Sequence, residues 1–399
     1  MLLPQLDPVT SAILLLADRL RAVDVESLLV SQTSGRVLAR PLLADRDNPP
    51  LDVSAMDGYA IRLADAELGS LPIAGRATAG SAPPELKPQT AVQIFTGAPV
   101  PAGCDCVIPR EQTRETPDRV ELTAPPSELK PGQHIRYRGE NARAGTEVLA
   151  AGTFLNSSAV AAVATVAGPN VDCFRKVRVA IVNTGDELVS PGQPALDWQI
   201  RDSNGPTLAA ALASIEWLEI TARVRSADQL STVCEQLAEL LPAVDAIIVT
   251  GGVSVGDTDH VPAAIAKLGG EIAFHRLPIR PGKPVLGAMM PEGKLIIGLP
   301  GNPVSVAVTA SVVAMPLLRK LGGLRPLMPA QPRVLIGNHD DKQLTLQWYR
   351  LVEITEQGVV NYVVSRGSGD LISLSHSRGF VTVPPGMSGP GPWPLTLWN

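Results

Sequence analysis

DAIIVTGGVSVGDTDH, Asp245 to His260, joins an apolar run to a loop of glycines and aspartates. Ala246 to Val249 is short, mostly β-branched and free of polar residues, the pattern of a strand buried on both faces of a parallel sheet. In open parallel sheets the ligand crevice lies outside the carboxyl ends of the strands, so the loop that follows is placed to bind. Gly251, Gly252 and Gly256 let backbone N–H groups approach an anion, while Asp257 and Asp259 can hold a hard cation or orient a hydrogen-bonding heterocycle. Phosphate with metal is the first reading of this loop. Taken alone, a glycine-rich turn with solvated aspartates explains it equally well.

Outward from it, strands and helices alternate between Lys176 and Leu324, which predicts a doubly wound α/β domain. Strands are expected at Val177 to Val182, Glu219 to Val224, Glu271 to His275, Val285 to Met289 and Leu295 to Ile297. Helices are expected at Asn204 to Ile215, Ala227 to Leu241, Val261 to Leu268 and Val304 to Leu321. Near the N-terminus, Asp7 and Pro8 can cap and open a helix carrying Ile13, Leu14, Leu16 and Leu20. A second helical pattern covers Val25 to Leu38. Arg46 to Val148 reads as a β-rich domain, and Ser157 to Ala167 as a buried helix able to pack beside the first two, consistent with a domain insertion. The prolines of Leu324 to Val334 mark a linker into a final β-rich module.

A chain of 399 residues exceeds one comfortable core, so two to four domains are expected. A net charge of -5 argues against nonspecific nucleic-acid binding, which relies on clustered Lys and Arg. Four cysteines, Cys104, Cys106, Cys173 and Cys234, are too few for a disulfide framework, which favours a cytoplasmic location. The CDC triplet at Cys104 to Cys106 lacks a second ligand pair and reads as buried small residues. No signal peptide is recognised, no apolar run is expected to span a bilayer, and no membrane partner is expected.

Three strand ends of the α/β domain carry loops of related character: NTGDEL (Asn183 to Leu188), TGGVSVGD (Thr250 to Asp257) and LPGNPVS (Leu299 to Ser305). Asp186 and Glu187 add carboxylates. RDSN (Arg201 to Asn204) adds Asp202 just before a helix that Ser203 or Asn204 can cap, and helix capping is the favoured role of Asp202 itself. IRPGKP (Ile279 to Pro284) supplies Arg280 and Lys283, cations suited to an anionic ligand accompanied by Mg²⁺.

With SAMDGYA (Ser54 to Ala60), FTGAPVP (Phe95 to Pro101), RGEN (Arg138 to Asn141), PGKP and the loop TGGVSVGDTDH, these motifs stand in an order that resembles the molybdopterin molybdenumtransferase family, the MoeA proteins related to the C-terminal domain of gephyrin. The fold class this implies is multidomain α/β plus β. Residues 1–45 and 149–175 would form an N-terminal helical and linker domain, 46–148 an inserted small β-rich domain, 176–325 a molybdopterin-binding α/β domain, and 326–399 a C-terminal β-barrel-like domain. The resemblance further implies insertion of molybdate into adenylated molybdopterin with release of AMP, a requirement for Mg²⁺, and a homodimer whose sites are shared between subunits. A molybdopterin adenylyltransferase is the implied delivery partner.

By the same resemblance, Asp57, Thr96, Glu187, Asp259 and Lys283 are the catalytic candidates. Asp186, Asp202, Gly251, Gly252, Ser254, Asp257, Arg280, Pro300 and Pro303 are the substrate-binding ones. Glu187, Asp257 and Asp259 are candidate Mg²⁺ ligands, with Asn141 the weakest of the metal positions because the family carries an aspartate there. Arg280 stands where the family often has lysine, and His260 where it has an aromatic; a packing or capping role is expected for His260. Two other classes remain open: a molybdopterin-binding carrier or sensor without insertase activity, pointed to by Asn141, and a nucleotide-pyrophosphate hydrolase of the competence-damage type, which would not need the inserted β domain. A third reading assigns the motifs to the fold alone, glycines for turns and acids for caps.

Overall fold

The computed structural model describes residues 7–398. The chain divides into two compact units, one made of Met1–Arg40, Ala151–Ser158 and Val171–Asn399, the other of Pro41–Ala150 and Ala159–Asn170.

At the centre of the first unit is a six-stranded sheet of β1 (Val177–Thr184), β2 (Leu218–Ser226), β3 (Ala246–Thr250), β4 (Glu271–His275), β5 (Leu286–Met289) and β6 (Leu295–Leu299). Its spatial order is β2-β1-β3-β6-β5-β4. The first four strands in that order run parallel, as the apolar run at Ala246 predicts, whereas β5 and β4 are antiparallel additions at the edge. From β1 the chain moves out to β2 and returns on the other side to β3, so the strand order reverses between β1 and β3. That is where an open sheet forms its crevice.

Alternation along β1 divides the packing into two layers. Val179 and Ile181 join Ile248, Ile297, Leu208 and Leu317 on one face, and Ala180 and Val182 join Val249, Val233, Leu237 and Ile265 on the other. Helices therefore cover both faces, Asn204–Ala213 on one and Leu230–Leu240 with Val261–Lys267 on the other. Truncating one of the fully buried isoleucines to alanine would remove about 2–5 kcal/mol.

Asp7 caps the helix Pro8–Arg19 as expected, accepting the N–H groups of Val9 and Thr10. The helix expected over Val25 to Leu38 is absent. Val25–Leu29 and Val37–Leu38 are strands on either side of Asn170–Phe174. The turn between them needs Gly35 at φ 73°, a left-handed conformation that breaks a helix, and the pairing strand lies far downstream, beyond any local periodicity.

Ser157–Val166 is helical, but only Ala159, Val163 and Val166 are buried, one stripe of the helix. From Ala159 it belongs to the inserted unit rather than to the first helices, and the Val166 carbonyl accepts the Asp45 N–H at 3.0 Å. The expectation that no run reaches spanning length is also corrected. Pro303–Leu321, 19 residues, is long and apolar enough to cross a membrane by length and composition. Its apolar side chains, including Val306, Val308, Val313 and Leu317, are those of a core helix, and a π turn at Ala310–Ala314 interrupts it.

The second unit holds a six-stranded sheet in the order Cys106–Pro109, Gly58–Ile61, Ala91–Ile94, Ser70–Ala77, Arg119–Leu122, Thr113–Glu115. Tyr59, Ile61 and Ile108 fill one of its cores. The C-terminal module is built on Gln347–Ile354, Gly379–Val383 and Trp393–Leu397, and Ile279–Arg280 pairs in parallel with Gln347–Trp348 at its edge. The segment carrying Arg280 is thus part of that module's sheet as well as the α/β chain.

Candidate active site

The carboxyl ends of β1 and β3 are joined by buried polar contacts. Asn183 Nδ2 donates to Thr250 Oγ1 at 2.8 Å, and Thr184 Oγ1 donates to the Thr250 carbonyl at 3.3 Å. All three residues are buried, a setting in which polar groups need partners. Gly251 and Gly252 follow at φ 79° and 60°. A Cβ on Gly251 would lie 2.7 Å from the Thr184 carbonyl oxygen, so the close approach of the two strand ends itself requires glycine. The Gly251 N–H donates to the Leu299 carbonyl at 3.1 Å, which brings the LPGNPVS loop alongside.

RDSN reaches the same place. Asp202 Oδ1 accepts the Gly205 N–H at 3.0 Å and the Asn183 amide at 3.4 Å, so Asp202 is the capping side chain expected there. Ser203 makes no side-chain cap bond, and Asn204 instead donates to the Gly301 carbonyl at 2.7 Å. Asn204 Oδ1 is buried with no hydrogen-bond partner among the described residues. A buried acceptor left this way costs about 1–3 kcal/mol unless a water or ligand donates to it.

Asp186 and Glu187 are exposed. Asp186 is tied to Asp228, at the end of β2, by reciprocal bonds: Asp228 Oδ2 accepts the Asp186 N–H at 3.3 Å and Asp186 Oδ1 accepts the Asp228 N–H at 3.0 Å. Burial raises the Asp228 carboxyl above its ordinary value; the Asp186 N–H opposes this, and the charges of Asp186 and Glu187 add to it. Sequence reading missed Asp228, because its only signal is a polar residue after a strand that alternates exposed and buried positions. His260 precedes the helix Val261–Lys267 without a side-chain cap bond, and it is the smallest of the influences on the Asp228 carboxyl, opposing the rise.

The loop after β3 closes on itself. Asp259 Oδ2 accepts the Gly256 N–H at 2.7 Å, and the Asp259 N–H donates back to Gly256 at 3.0 Å. One Asp259 oxygen is therefore used in the turn, whereas Asp257 is exposed and Ser254 half-buried. Pro300 is buried, and Pro303 opens the helix Pro303–Thr309, where its missing N–H costs nothing. Arg280 and Lys283 are exposed on their loop, with no ion-pair partner among the described residues. The C-terminal module also touches this region, since the Val304 N–H donates to the Ser368 carbonyl at 3.0 Å.

Asp57, Thr96 and Asn141 lie in the other unit. There SAMDGYA and FTGAPVP meet: Asp57 Oδ1 accepts both the N–H of Thr96 at 2.8 Å and its hydroxyl at 2.7 Å. The Thr96 N–H first, then its hydroxyl, and Arg110 more weakly, hold the Asp57 carboxyl below its ordinary value, so it is a carboxylate at neutral pH. Asn141 is held at both ends of its amide, its Oδ1 accepting from Arg136 at 2.8 Å and its Nδ2 donating to Asn48 Oδ1 at 2.7 Å. A cation at Asn141 would face the Arg136 guanidinium.

No group of three His, Cys, Asp or Glu side chains among the described residues could hold a metal ion. Glu187, Asp257 and Asp259, the expected Mg²⁺ ligands, therefore form no such group. All four cysteines are free; Cys106 is buried as expected and Cys104 half-buried, and burial pushes the Cys104 thiol up to about 12 and that of Cys106 to about 11.

Comparison with known proteins agrees with this architecture. Residues 7–167 match the MoeA N-terminal region, domains I and II, and residues 180–320 match a probable molybdopterin binding domain. A molybdopterin molybdenumtransferase of Nostoc sp. is 36% identical over 384 residues, covering 91% of this chain and 86% of its own. The chain belongs to the molybdopterin molybdenumtransferase family. It is thereby an enzyme, a transferase of molybdenum cofactor biosynthesis. The family member of Haemophilus influenzae is 36% identical over 75% of this chain and 73% of its own. The molybdopterin biosynthesis MoeA protein of Pyrococcus horikoshii shares the multidomain fold, with a TM-score of 0.81 at 26% identity over 99% of this chain and 100% of that one.

Proposed function

We propose that this transferase inserts molybdate into adenylated molybdopterin and releases AMP. The observation that carries the reading is the meeting of four motif loops at the β1/β3 switch point, where Asn183 reaches Thr250 and Asp202, Asn204 reaches Gly301, and Gly301 lies against Gly251. Such a crevice suits a ligand with both a heterocycle and phosphates. Backbone N–H groups of the glycine loop would cradle the phosphoanhydride, and Arg280 and Lys283 would neutralise phosphate and molybdate charge. Asp186, Asp202, Ser254, Pro300 and Pro303 would shape the pterin end, with Glu187, Asp257 and Asp259 facing any Mg²⁺ that enters with the phosphates. When bound, that ion would supply Lewis-acid stabilisation of the leaving AMP.

Asp57 and Thr96 form the second catalytic group in this proposal, a fixed carboxylate with one oxygen free to orient substrate. By family resemblance they would act on a site of the partner subunit in a homodimer. A mixed dimer of Asp57→Ala and Asp259→Ala chains would then recover turnover that neither variant homodimer has. Loss of activity in confirmed mixed dimers would remove the shared site from the account.

The insertase reading is tested by incubating the protein with adenylated molybdopterin and molybdate, then adding a molybdenum-free apoenzyme. Recovery of the apoenzyme's activity is expected. A carrier or sensor is the second reading, favoured by the Asn141 oxygen already accepting from the Arg136 guanidinium while its amide nitrogen is held by Asn48. It predicts tight binding of the adenylated pterin with no recovery.

A further inference from the structure

The glycine loop after β3 and the cationic loop after β4 are joined by one side chain. His275 ends β4, and its Nε2 lies 2.7 Å from the Val253 carbonyl oxygen. A carbonyl only accepts, so Nε2 carries the proton. The Val253 side chain is held as well: it is buried, and it sits over Gly298, where a Cβ would come within 2.7 Å of Val253 Cγ1. Beyond Val253 the loop has little external support. Val255, Gly256, Asp257 and Thr258 are exposed, and the bonds at the tip are local ones, between Gly256 and Asp259 and from the His260 N–H to the Thr258 carbonyl.

The same strand end starts the cationic loop. Arg276, next in sequence, adopts φ 65°, a left-handed conformation that non-glycine residues adopt only when their surroundings impose it. Its N–H donates to the Val285 carbonyl at 2.9 Å, closing the loop that carries Arg280 and Lys283. The ring of His275 thus fixes one loop while the backbone beside it fixes the other.

We infer that His275 is a positioning residue that sets the register of the loop Val253 to Asp259 against Arg280 and Lys283. Its effect on turnover rests on the crevice reading proposed above; its effect on the loop does not. A misplacement of about 1 Å in a site of this kind can cost up to about 100-fold in rate.

The test uses the full-length protein and two variants. His275→Phe keeps a ring of similar size and removes the donor, and His275→Gln replaces the ring by an amide that can still donate. Hydrogen–deuterium exchange without ligand should be accelerated at least tenfold in residues 254–259 of H275F, unchanged in β3, and close to wild type in H275Q. In the AMP-release assay H275F should raise KM for adenylated molybdopterin at least fivefold, with H275Q restoring most of the loss. Unchanged exchange in H275F, or H275Q as fast-exchanging as H275F, would overturn the inference. The expected exchange pattern with no turnover in the wild-type protein would uphold the anchor and sink the crevice reading instead.

Discussion

Asn183 Nδ2 donates to Thr250 Oγ1 over 2.8 Å, linking the carboxyl ends of the two strands between which the sheet order reverses. Both residues are buried, so neither group has water as a substitute. Thr250→Val keeps the side-chain shape and removes the acceptor. It should destabilise the protein by about 1–3 kcal/mol, read as a lower urea midpoint with an unchanged slope. A midpoint equal to wild type would mean that the Asn183 amide finds another acceptor, and Asp202, already 3.4 Å away, is the one in reach.

Gly251→Ala tests the close approach of the strand ends. Its φ of 79° alone makes an alanine there cost about 1–3 kcal/mol. The added Cβ would also sit 2.7 Å from the Thr184 carbonyl oxygen, and backbone cannot swing aside as a long side chain could. The variant is expected to lose stability and at least 90% of turnover, in the order-of-magnitude sense that about 1.4 kcal/mol is tenfold. Full activity in a stable Gly251→Ala protein would show that the strand ends can separate freely.

Arg175 and Asp245 anchor the amino-terminal end of β3. The guanidinium makes two bonds to the carboxylate, at 2.7 and 2.8 Å, and the Arg178 N–H adds a third at 2.8 Å. Burial pushes the Asp245 carboxyl up, but Arg175, the Arg178 N–H and Lys294 outweigh it, and the net shift is downward. A lowered folded-state value contributes stability above the unfolded value of about 3.9, which is lost as pH falls through the folded value. Arg175→Ala would leave a buried carboxylate unpaired and cost on the order of 3 kcal/mol at pH 7. The loss should shrink below about pH 4, where the unfolded carboxyl protonates. A pH-independent loss would assign the effect to packing of the arginine stem.

Asp228 has the opposite sign. Its raised carboxyl means that stability falls as pH rises from the unfolded value to the folded one and then stays level. Asp228→Asn can still accept the Asp186 N–H, so it should raise the melting temperature at pH 8 and do so less at pH 4. A lower melting temperature at pH 8 would show that the Asp228 charge is balanced by a cation and not penalised by burial.

The Ala246 to Val249 strand was legible because a continuous β-branched run followed by glycines has few alternatives, and the loops at Asn183, Arg201 and Leu299 were legible as turn-forming polar clusters on strand ends. Asp202 was readable as a cap because the residue before a helix has a restricted set of roles. Val25 to Leu38 was not, since its fate depends on pairing with Asn170–Phe174. The contributions of Asp228, His275 and Ser368 also escaped sequence reading. Each acts through a contact to a residue distant in sequence, Asp186, Val253 and Val304 respectively, and none sits in a motif with a recognisable spacing.

Asn141→Asp bears on the inserted unit. The carboxylate would keep its bond to Arg136 but could not donate to Asn48, so the Asn48 side chain must turn or lose its partner. A small loss of stability is expected, about 1 kcal/mol, measured by thermal unfolding. If the exchange also raises molybdate-dependent turnover tenfold or more, the natural Asn141 limits insertion.

In the proposed reaction the crevice at the β1/β3 switch point couples molybdate to cleavage of the phosphoanhydride. The direct measurement is AMP formed per adenylated molybdopterin consumed by the purified protein, with and without molybdate. One AMP per pterin is expected when molybdate is present, little in its absence, and loss of that molybdate-dependent release in Lys283→Ala. Equal AMP release with and without molybdate, or none under either condition, would contradict it.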